Sequence, residues 1–198
     1  KDLEQEEHII RTEDDVEKAL VIAEKEMVEN PKNAKLIRKV AELYIRKKDV
    51  KKGKEMLEQC LKINPKDFAA SEQLGNLKLD QYEKNVEIYT AKVKKDPKNS
   101  ELKDKWKKAK VNLAKFKVIE WRRRVAAHPT DMKLRFELAE GYLGLGKTDD
   151  AIAELQKAVK DPKIKENSTV LLGKAFTKKK LYDAAVKQFQ TVVDGNIN

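Results

Sequence analysis

The prolines of this 198-residue chain recur at an almost constant interval, and this regularity restricts the possible folds more than any other feature. Successive prolines are 34, 32, 32 and 33 residues apart. A proline just past the C-terminus of a helix ends that helix, because it cannot continue the hydrogen-bonded backbone. The sequence therefore predicts a structural repeat of about 33 residues. The unit ends are marked by Pro31, Pro65, Pro97, Pro129 and Pro162.

Between the prolines, apolar residues recur with the period of an α-helix, and the pattern usually breaks once in each unit. Most units therefore predict two helices. In the first helix a large apolar residue precedes a small one, as in VAELY at 40–44 and LAEGY at 138–142. The small residue allows a partner helix to approach closely. These small residues are Ala41, Gly75, Ala139 and Gly173.

These features resemble the tetratricopeptide repeat (TPR) family, a helix–turn–helix unit of about 34 residues with a terminal proline. The stretch ELAEGYLGLGKTDDAIAELQKAV at 137–159 fits the family consensus almost throughout. The resemblance implies an all-α fold, a right-handed superhelical α-solenoid of antiparallel helix pairs. We expect one array over residues 1–198. Its predicted units are 1–31, 34–65, 68–97, 100–129, 132–162 and 166–195.

The unit at 100–129 departs from the consensus, because Lys107 falls where the small residue belongs. There is no glycine or proline between Pro97 and Pro129, and the apolar residues form two offset helical stripes. Either a turn near 114–117 folds the segment into a hairpin, or one long helix buries two faces. We favour the hairpin, since the adjacent units keep a common frame.

Positive charge is concentrated in the middle of the chain. Residues 92–124 contain fourteen basic and four acidic residues, a net charge of +10 that equals the net charge of the whole chain. Lysines three, four or seven residues apart share a helix face, so a continuous helix would align them in a basic stripe. Phosphate contacts from this stripe would allow binding of nucleic acid or another polyanion, which is the alternative function. The stripe consists of Lys103, Lys107, Lys110, Lys117 and Arg124.

Three aromatic residues, Trp106, Phe116 and Trp121, lie among these cations. The aromatic residues fall on the apolar stripes, whereas the lysines fall off them. A base-stacking platform needs exposed aromatic rings beside its cations. We therefore assign the three rings to helix packing, which favours protein interaction over nucleic-acid binding.

The TPR resemblance also implies a concave groove, lined by the first helices, that holds an extended peptide or a helix of a partner protein. Family members that grip C-terminal carboxylates use a Lys and an Asn one helical turn apart, and no such pair occurs at the matching positions here. We expect a groove of mixed charge instead. Its candidate residues are Arg38, Glu42, Glu72, Asn76, Glu140, Lys174 and Lys178.

Two forms of self-association are also predicted. A repeat array buries its core only by stacking, so an end without a capping helix leaves apolar surface for a second copy. Alternatively, the acidic N-terminal segment of one molecule would meet the basic middle of another. Residues 1–30 contain four basic and eleven acidic residues, a net charge of −7.

No catalytic, metal-binding or cofactor-binding constellation has the required spacing, so we expect a non-enzymatic scaffold without a cofactor. Cys60, the single cysteine, is interpreted as a buried structural thiol in a reducing compartment, which suggests a cytoplasmic protein. No stretch approaches the about 20 apolar residues needed to cross a membrane. Because the sequence begins at Lys1 without a leader, we expect it to be a piece of a longer protein.

Overall fold

A computed structural model describes residues 12–195, and over this range the protein consists of α-helices and their connections. The first eleven residues of the predicted unit 1–31 and residues 196–198 lie outside this range. The described residues confirm the all-α class. They form nine helices: α1 Glu13–Glu29, α2 Ala34–Arg46, α3 Val50–Ile63, α4 Phe68–Lys95, α5 Ser100–Ala127, α6 Met132–Gly144, α7 Thr148–Ala158, α8 Lys165–Lys178 and α9 Tyr182–Gly195.

Each of the five prolines lies in a tight turn that ends one helix and starts the next. The carbonyl before the proline accepts a backbone hydrogen bond from the residue three positions further on, at 3.0 to 3.3 Å. The fixed φ of proline suits the second position of such a β-turn. In four turns the residue two positions after the proline is an Asn or Asp whose side chain accepts a hydrogen bond from the first turn of the next helix. These capping residues are Asn33, Asp67, Asn99 and Asp131.

Residues 1–80 form the first of two compact units into which the chain divides. Within it, Leu20 and Ala23 of α1 pack against Tyr44 of α2. A second apolar cluster is enclosed by α2, α3 and the N-terminal part of α4. Its buried members are Ile37, Ala41, Leu57, Cys60, Ala70 and Leu74. The core of this unit is therefore a series of seams between helices, as expected for stacked helical repeats.

Residues 81–198 form the second compact unit, in which α5 packs antiparallel against α6. A Cβ atom added to Gly141 would lie 3.1 Å from Val118 Cγ2, and one added to Gly144 would lie 2.8 Å from Ala114 Cβ. The first contact is tighter than nearly all Cβ contacts in proteins, and the second is shorter than Cβ atoms tolerate without a shift of the neighbouring atoms. The two glycines of α6 therefore let its backbone approach α5 closely.

Three of the predicted units are helix pairs joined by short turns. The pairs α2/α3, α6/α7 and α8/α9 correspond to the units 34–65, 132–162 and 166–195. In each pair the turn contains one residue with left-handed backbone, and the small residue of the first helix is buried. The left-handed residues are Lys48 (φ 65°), Gly146 (φ 73°) and Lys180 (φ 62°).

Two predicted units, 68–97 and 100–129, each contain one helix instead of two. α4 and α5 both run for 28 residues without a break. The hairpin interpretation of 100–129 is therefore wrong, and the alternative of one long helix is correct.

The two apolar stripes of α5 face two different neighbours, which explains why a single helix satisfies both. On one face, the Phe116 ring stacks on the Tyr82 ring of α4, with centroids 5.0 Å apart. On another face, Ala114 and Val118 contact α6. A turn in the middle of α5 would remove one of these two sets of contacts.

We expect Lys115→Pro to lower the free energy of unfolding by about 3 kcal/mol or more, because proline inside a helix removes a backbone hydrogen bond and clashes with the preceding turn. Lys115 is exposed in the middle of α5. The control Lys115→Ala should therefore change stability by less than about 0.5 kcal/mol. Urea unfolding followed by circular dichroism measures both variants. If Lys115→Pro were as stable as the control, the position would be a turn.

Candidate functional site

A cavity of about 340 Å³ lies between α2 and the N-terminal part of α4, within the first compact unit. On each helix the three lining residues follow the spacing i, i+3 and i+4, which places them on one face. Together they supply two aliphatic side chains, two amides and one charge of each sign. The lining residues are Glu42, Ile45, Arg46, Gln73, Asn76 and Leu77.

The Glu42 carboxylate in the cavity wall interacts with neighbouring side chains. Gln73 Nε2 donates a hydrogen bond to Glu42 Oε1 at 3.0 Å, and Arg38 Nε lies 3.7 Å from the same oxygen. Arg38 also donates from Nη1 to Asp67 Oδ1 at 2.8 Å. Burial alone would raise the pKa of Asp67, but hydrogen bonds from the Ala70 amide and from Arg38 outweigh it and lower that pKa. Arg38 therefore serves two carboxylates of its own chain.

Arg46 differs from Arg38, although both lie on α2. The Arg46 side chain is exposed and has no ion pair or side-chain hydrogen bond with any residue from 12 to 195. Beside it in the cavity wall, Ile45 and Leu77 are half-buried. A guanidinium group pairs strongly with carboxylates. This part of the wall therefore combines a free cation with aliphatic surface.

Four of the predicted groove residues lie in the first unit. Glu42 and Asn76 line the cavity, Arg38 is bound to the two carboxylates, and Glu72 is exposed outside the lining. The predicted groove residues are polar pairs one helical turn apart, and they do not include the residues that complete each face. The spacing of three and four residues was available in the sequence. The missed lining residues are Ile45, Arg46, Gln73 and Leu77.

The other three predicted groove residues lie in the second unit. Lys178 Nζ donates to the carbonyl oxygen of Leu143 at 3.3 Å, and Lys174 is exposed. Glu140 Oε2 lies 4.0 Å from Lys117 Nζ. Desolvation is the largest cause of the raised pKa of Glu140, and Lys117 opposes it. A binding role for these residues stays a prediction.

The predicted basic stripe is not continuous on the surface, although the helix that carries it is unbroken. The Lys117 side chain is 19% exposed and its Nζ lies 3.6 Å from Glu83 Oε1. Arg124 is buried and donates from Nε to Glu120 Oε1 at 2.7 Å. The five cations therefore do not form one accessible stripe. The members that stay exposed are Lys103, Lys107 and Lys110.

Glu120 holds a compact cluster of charges on α5. Arg123 donates to its carboxylate from Nη2 at 2.6 Å and from Nε at 3.2 Å, in addition to the bond from Arg124. The Arg124 guanidinium lies 4.3 Å from the centroid of the Trp121 ring. Burial alone would raise the pKa of Glu120, but the two hydrogen-bonded guanidinium groups outweigh it and lower that pKa. Both arginines are therefore bound to a carboxylate of their own helix.

The three aromatic residues of this region pack against neighbouring side chains, as predicted. Trp121 is buried, and Phe116 stacks on α4. Trp106 is half-buried, its Nε1 donates to Thr90 Oγ1 at 2.9 Å, and Lys110 Nζ lies 4.5 Å from its ring centroid. Base stacking needs uncovered rings beside cations, so this arrangement does not favour nucleic-acid binding.

Cys60 is fully buried, with Sγ 3.3 Å from the Ala34 carbonyl oxygen. This position confirms the interpretation of Cys60 as a buried thiol, and burial and the nearby Asp67 carboxylate raise the pKa of that thiol. Within residues 12–195, no three His, Cys, Asp or Glu side chains are grouped to hold a metal ion. The same part of the chain contains no helix with the length and apolar character needed to cross a membrane.

Comparison with known proteins identifies the architecture. The family model of the tetratricopeptide repeat matches residues 39–67, which cover most of α2, all of α3 and the turn after it. No curated protein matches the chain. The crystal structure of MamA is 20% identical and has a TM-score of 0.53, covering 93% of this chain and 90% of its own. A MamA structure from Desulfovibrio magneticus RS-1 is 18% identical, with a TM-score of 0.51 and coverage of 91% and 85%.

YrrB, described as a TPR protein with an unusual peptide-binding site, is 15% identical with a TM-score of 0.52. The match covers 87% of this chain and 91% of YrrB. The fold is that of a TPR protein. The resemblance to the TPR fold predicted from the sequence is thereby confirmed. The nucleic-acid alternative receives no support from these comparisons.

We expect Glu120→Gln to lower stability at neutral pH by about 1–3 kcal/mol, because a neutral amide cannot bind two guanidinium groups as strongly. The difference from the unsubstituted protein should be constant above the ordinary glutamate pKa of about 4.3. It should shrink as the pH falls through the lowered pKa of folded Glu120, because protonation then removes the same charge. Urea unfolding across a pH series measures this difference.

The matched control is Glu87→Gln, since Glu87 is exposed on α4 and has no ion pair within residues 12–195. This control should change stability little at any pH. A loss of stability in Glu120→Gln that persisted unchanged in acid would show that the substitution acts through packing and not through charge.

Proposed function

We propose that this TPR protein is a non-enzymatic scaffold that binds a peptide or helix of a protein partner in the cavity between α2 and α4. The observation that carries this proposal is the composition of the cavity wall, where the Arg46 guanidinium, which has no ion pair within residues 12–195, lies beside aliphatic side chains. A preformed wall on two packed helices lowers the ordering cost of binding. The described binding of a peptide by YrrB, a protein of the same fold, is consistent with the proposal.

The wall favours a partner segment in which an aliphatic residue neighbours an Asp or Glu. Ile45 and Leu77 would contact the aliphatic side chain, and Arg46 would pair with the carboxylate. Glu42 would repel an acidic peptide little, because Arg38 and Gln73 already bind its carboxylate. The amides of the wall would hydrogen-bond a peptide backbone.

The other candidate groove residues, Glu140, Lys174 and Lys178, extend the same proposal to the second unit.

A cytoplasmic location is also part of the proposal. So is association through the end of the array, for which α9 supplies exposed aliphatic residues: Val186 is 64% exposed and Val193 is 52% exposed.

We expect Arg46→Glu to weaken peptide binding at least tenfold, which corresponds to about 1.4 kcal/mol. Peptides are first selected from a random display library on the immobilised 198-residue chain, and the enriched peptides are then titrated by calorimetry. The enriched sequences should pair an aliphatic residue with an adjacent or nearby acidic one.

Lys39→Glu serves as the matched control, because Lys39 is an exposed cation on the same helix and lies outside the cavity wall. It changes the net charge equally and should leave affinity within about twofold. Enriched peptides without acidic residues, or equal losses in both variants, would contradict the proposed role of Arg46.

A further inference from the structure

The pair formed by α5 and the C-terminal half of α4 extends past the helix that packs on it. α6 ends at Gly144, which lies next to Ala114 of α5. The fourteen residues of α5 before Ala114 span about 20 Å at 1.5 Å per residue. Over this length α5 packs against α4, through contacts such as that between Trp106 and Thr90. We call residues 84–115, which include the C-terminal part of α4 and the N-terminal part of α5, the basic hairpin. It is distinct from the hairpin within 100–129 that the continuous helix α5 excludes.

The basic hairpin is mostly exposed. Ala109 is the only buried residue between Gln81 and Leu113. A pair of helices that buries so little retains large surfaces on both of its outer faces. Two of the aliphatic side chains are uncovered, since Ile88 is 52% exposed and Val111 is 41% exposed. The hairpin therefore offers accessible surface of mixed aliphatic and charged character.

The charge of this surface is strongly positive. The basic hairpin contains eleven basic and four acidic residues, a net charge of +7. Two of the acids are already paired, Glu101 with Lys105 at 2.6 Å and Asp104 with Lys107 at 3.5 Å. Most of the remaining lysines have no anionic partner among residues 12–195. Charge of one sign at this density repels itself and attracts an acidic surface.

The lysines flank the exposed aliphatic residues on both helices. On α5, Lys108, Val111 and Lys115 follow each other at intervals of three and four, so they share one face. On α4, Lys84 and Ile88 are four residues apart and are likewise exposed together. A surface complementary to these two helix faces would carry acidic residues around aliphatic ones.

The outer face of α1 has this complementary composition. The inner face of α1 packs on α2, but Val21, Ile22 and Val28 are 62%, 59% and 76% exposed. Residues 12–30 contain seven acidic and two basic residues, a net charge of −5. The chain therefore displays an acidic aliphatic helix and a basic aliphatic hairpin.

We propose that α1 of one copy docks on the basic hairpin of a second copy. The exposed aliphatic residues of the two surfaces form the centre of the contact, and the opposite charges orient it. Each copy carries both surfaces, so the contact is heterologous and repeats from molecule to molecule, giving a ring or an open filament. This contact does not use the cavity between α2 and α4 and is independent of the proposed peptide binding.

The first measurement is the mass of the 198-residue protein by sedimentation velocity across a wide concentration range. Association should increase with concentration in about 50 mM salt and largely disappear in about 500 mM salt, because exposed charges are screened within a few Å at high ionic strength. A protein that stays monomeric in low salt at all concentrations would overturn the proposal.

The second measurement uses charge reversal on each surface. The hairpin variant carries Lys108→Glu and Lys115→Glu, on either side of Val111. The α1 variant carries Glu13→Lys and Glu29→Lys, one at each end of the helix, so that their opposite effects on the helix dipole cancel. Each variant alone should associate with itself at least tenfold more weakly than the unsubstituted protein does. An equimolar mixture of the two should associate again, since every contact then joins opposite charges.

The control Lys51→Glu with Lys66→Glu makes the same change of net charge at exposed sites of the first unit and should leave association unchanged. Circular dichroism and urea midpoints verify that all variants are folded. If the mixture fails to associate although both variants are folded, the docking proposal is wrong. If Val186→Lys with Val193→Lys abolishes association and the charge reversals do not, the contact lies at α9 instead.

Discussion

Every helix of this protein buries its apolar face only against a neighbouring helix, and this constraint underlies the rest of the structure. The close approach depends on small residues at the crossings. A Cβ atom on Gly53 would lie 2.6 Å from Ile45 Cγ1, and one on Gly173 would lie 2.6 Å from the ring of Phe189. Because the core consists of such contacts between helices, aliphatic residues on the faces of α1 and α9 that no described helix covers are exposed.

The long helices α4 and α5 show what happens when the turn inside a repeat is lost. In a complete repeat, the second helix folds back and covers the first. In α4 and α5 the helix continues without a break for 28 residues, and most residues between Gln81 and Leu113 stay exposed. Lysine suits such an exposed stretch of helix, because its aliphatic stem can cover apolar surface while its charge stays in water. The lysine-rich composition of residues 84–115 is therefore compatible with the exposure of this region.

The positions of the helix ends could be predicted from the sequence, but the missing turns could not. Proline with an Asx residue two positions later encodes both the stop of one helix and the start of the next through local hydrogen bonds. The turn inside a repeat has no such code. It needs one left-handed residue, and at Lys48 and Lys180 that residue is lysine. The absence of glycine from 100–129 therefore does not distinguish a hairpin from a continuous helix. The contacts of α5 with α4 and α6 favour the continuous helix.

The candidate site shows the same division between local pattern and tertiary pairing. Helical spacing identifies the face that includes Glu42 and Asn76, and extending that spacing would have found the rest of the wall. Spacing does not show that Arg38 is neutralised while Arg46, two turns later on the same helix, has no ion pair within residues 12–195. The difference arises from Asp67, which caps α4 through the Ala70 amide and binds Arg38 with the same oxygen. The residue that starts α4 thereby also neutralises Arg38 of α2.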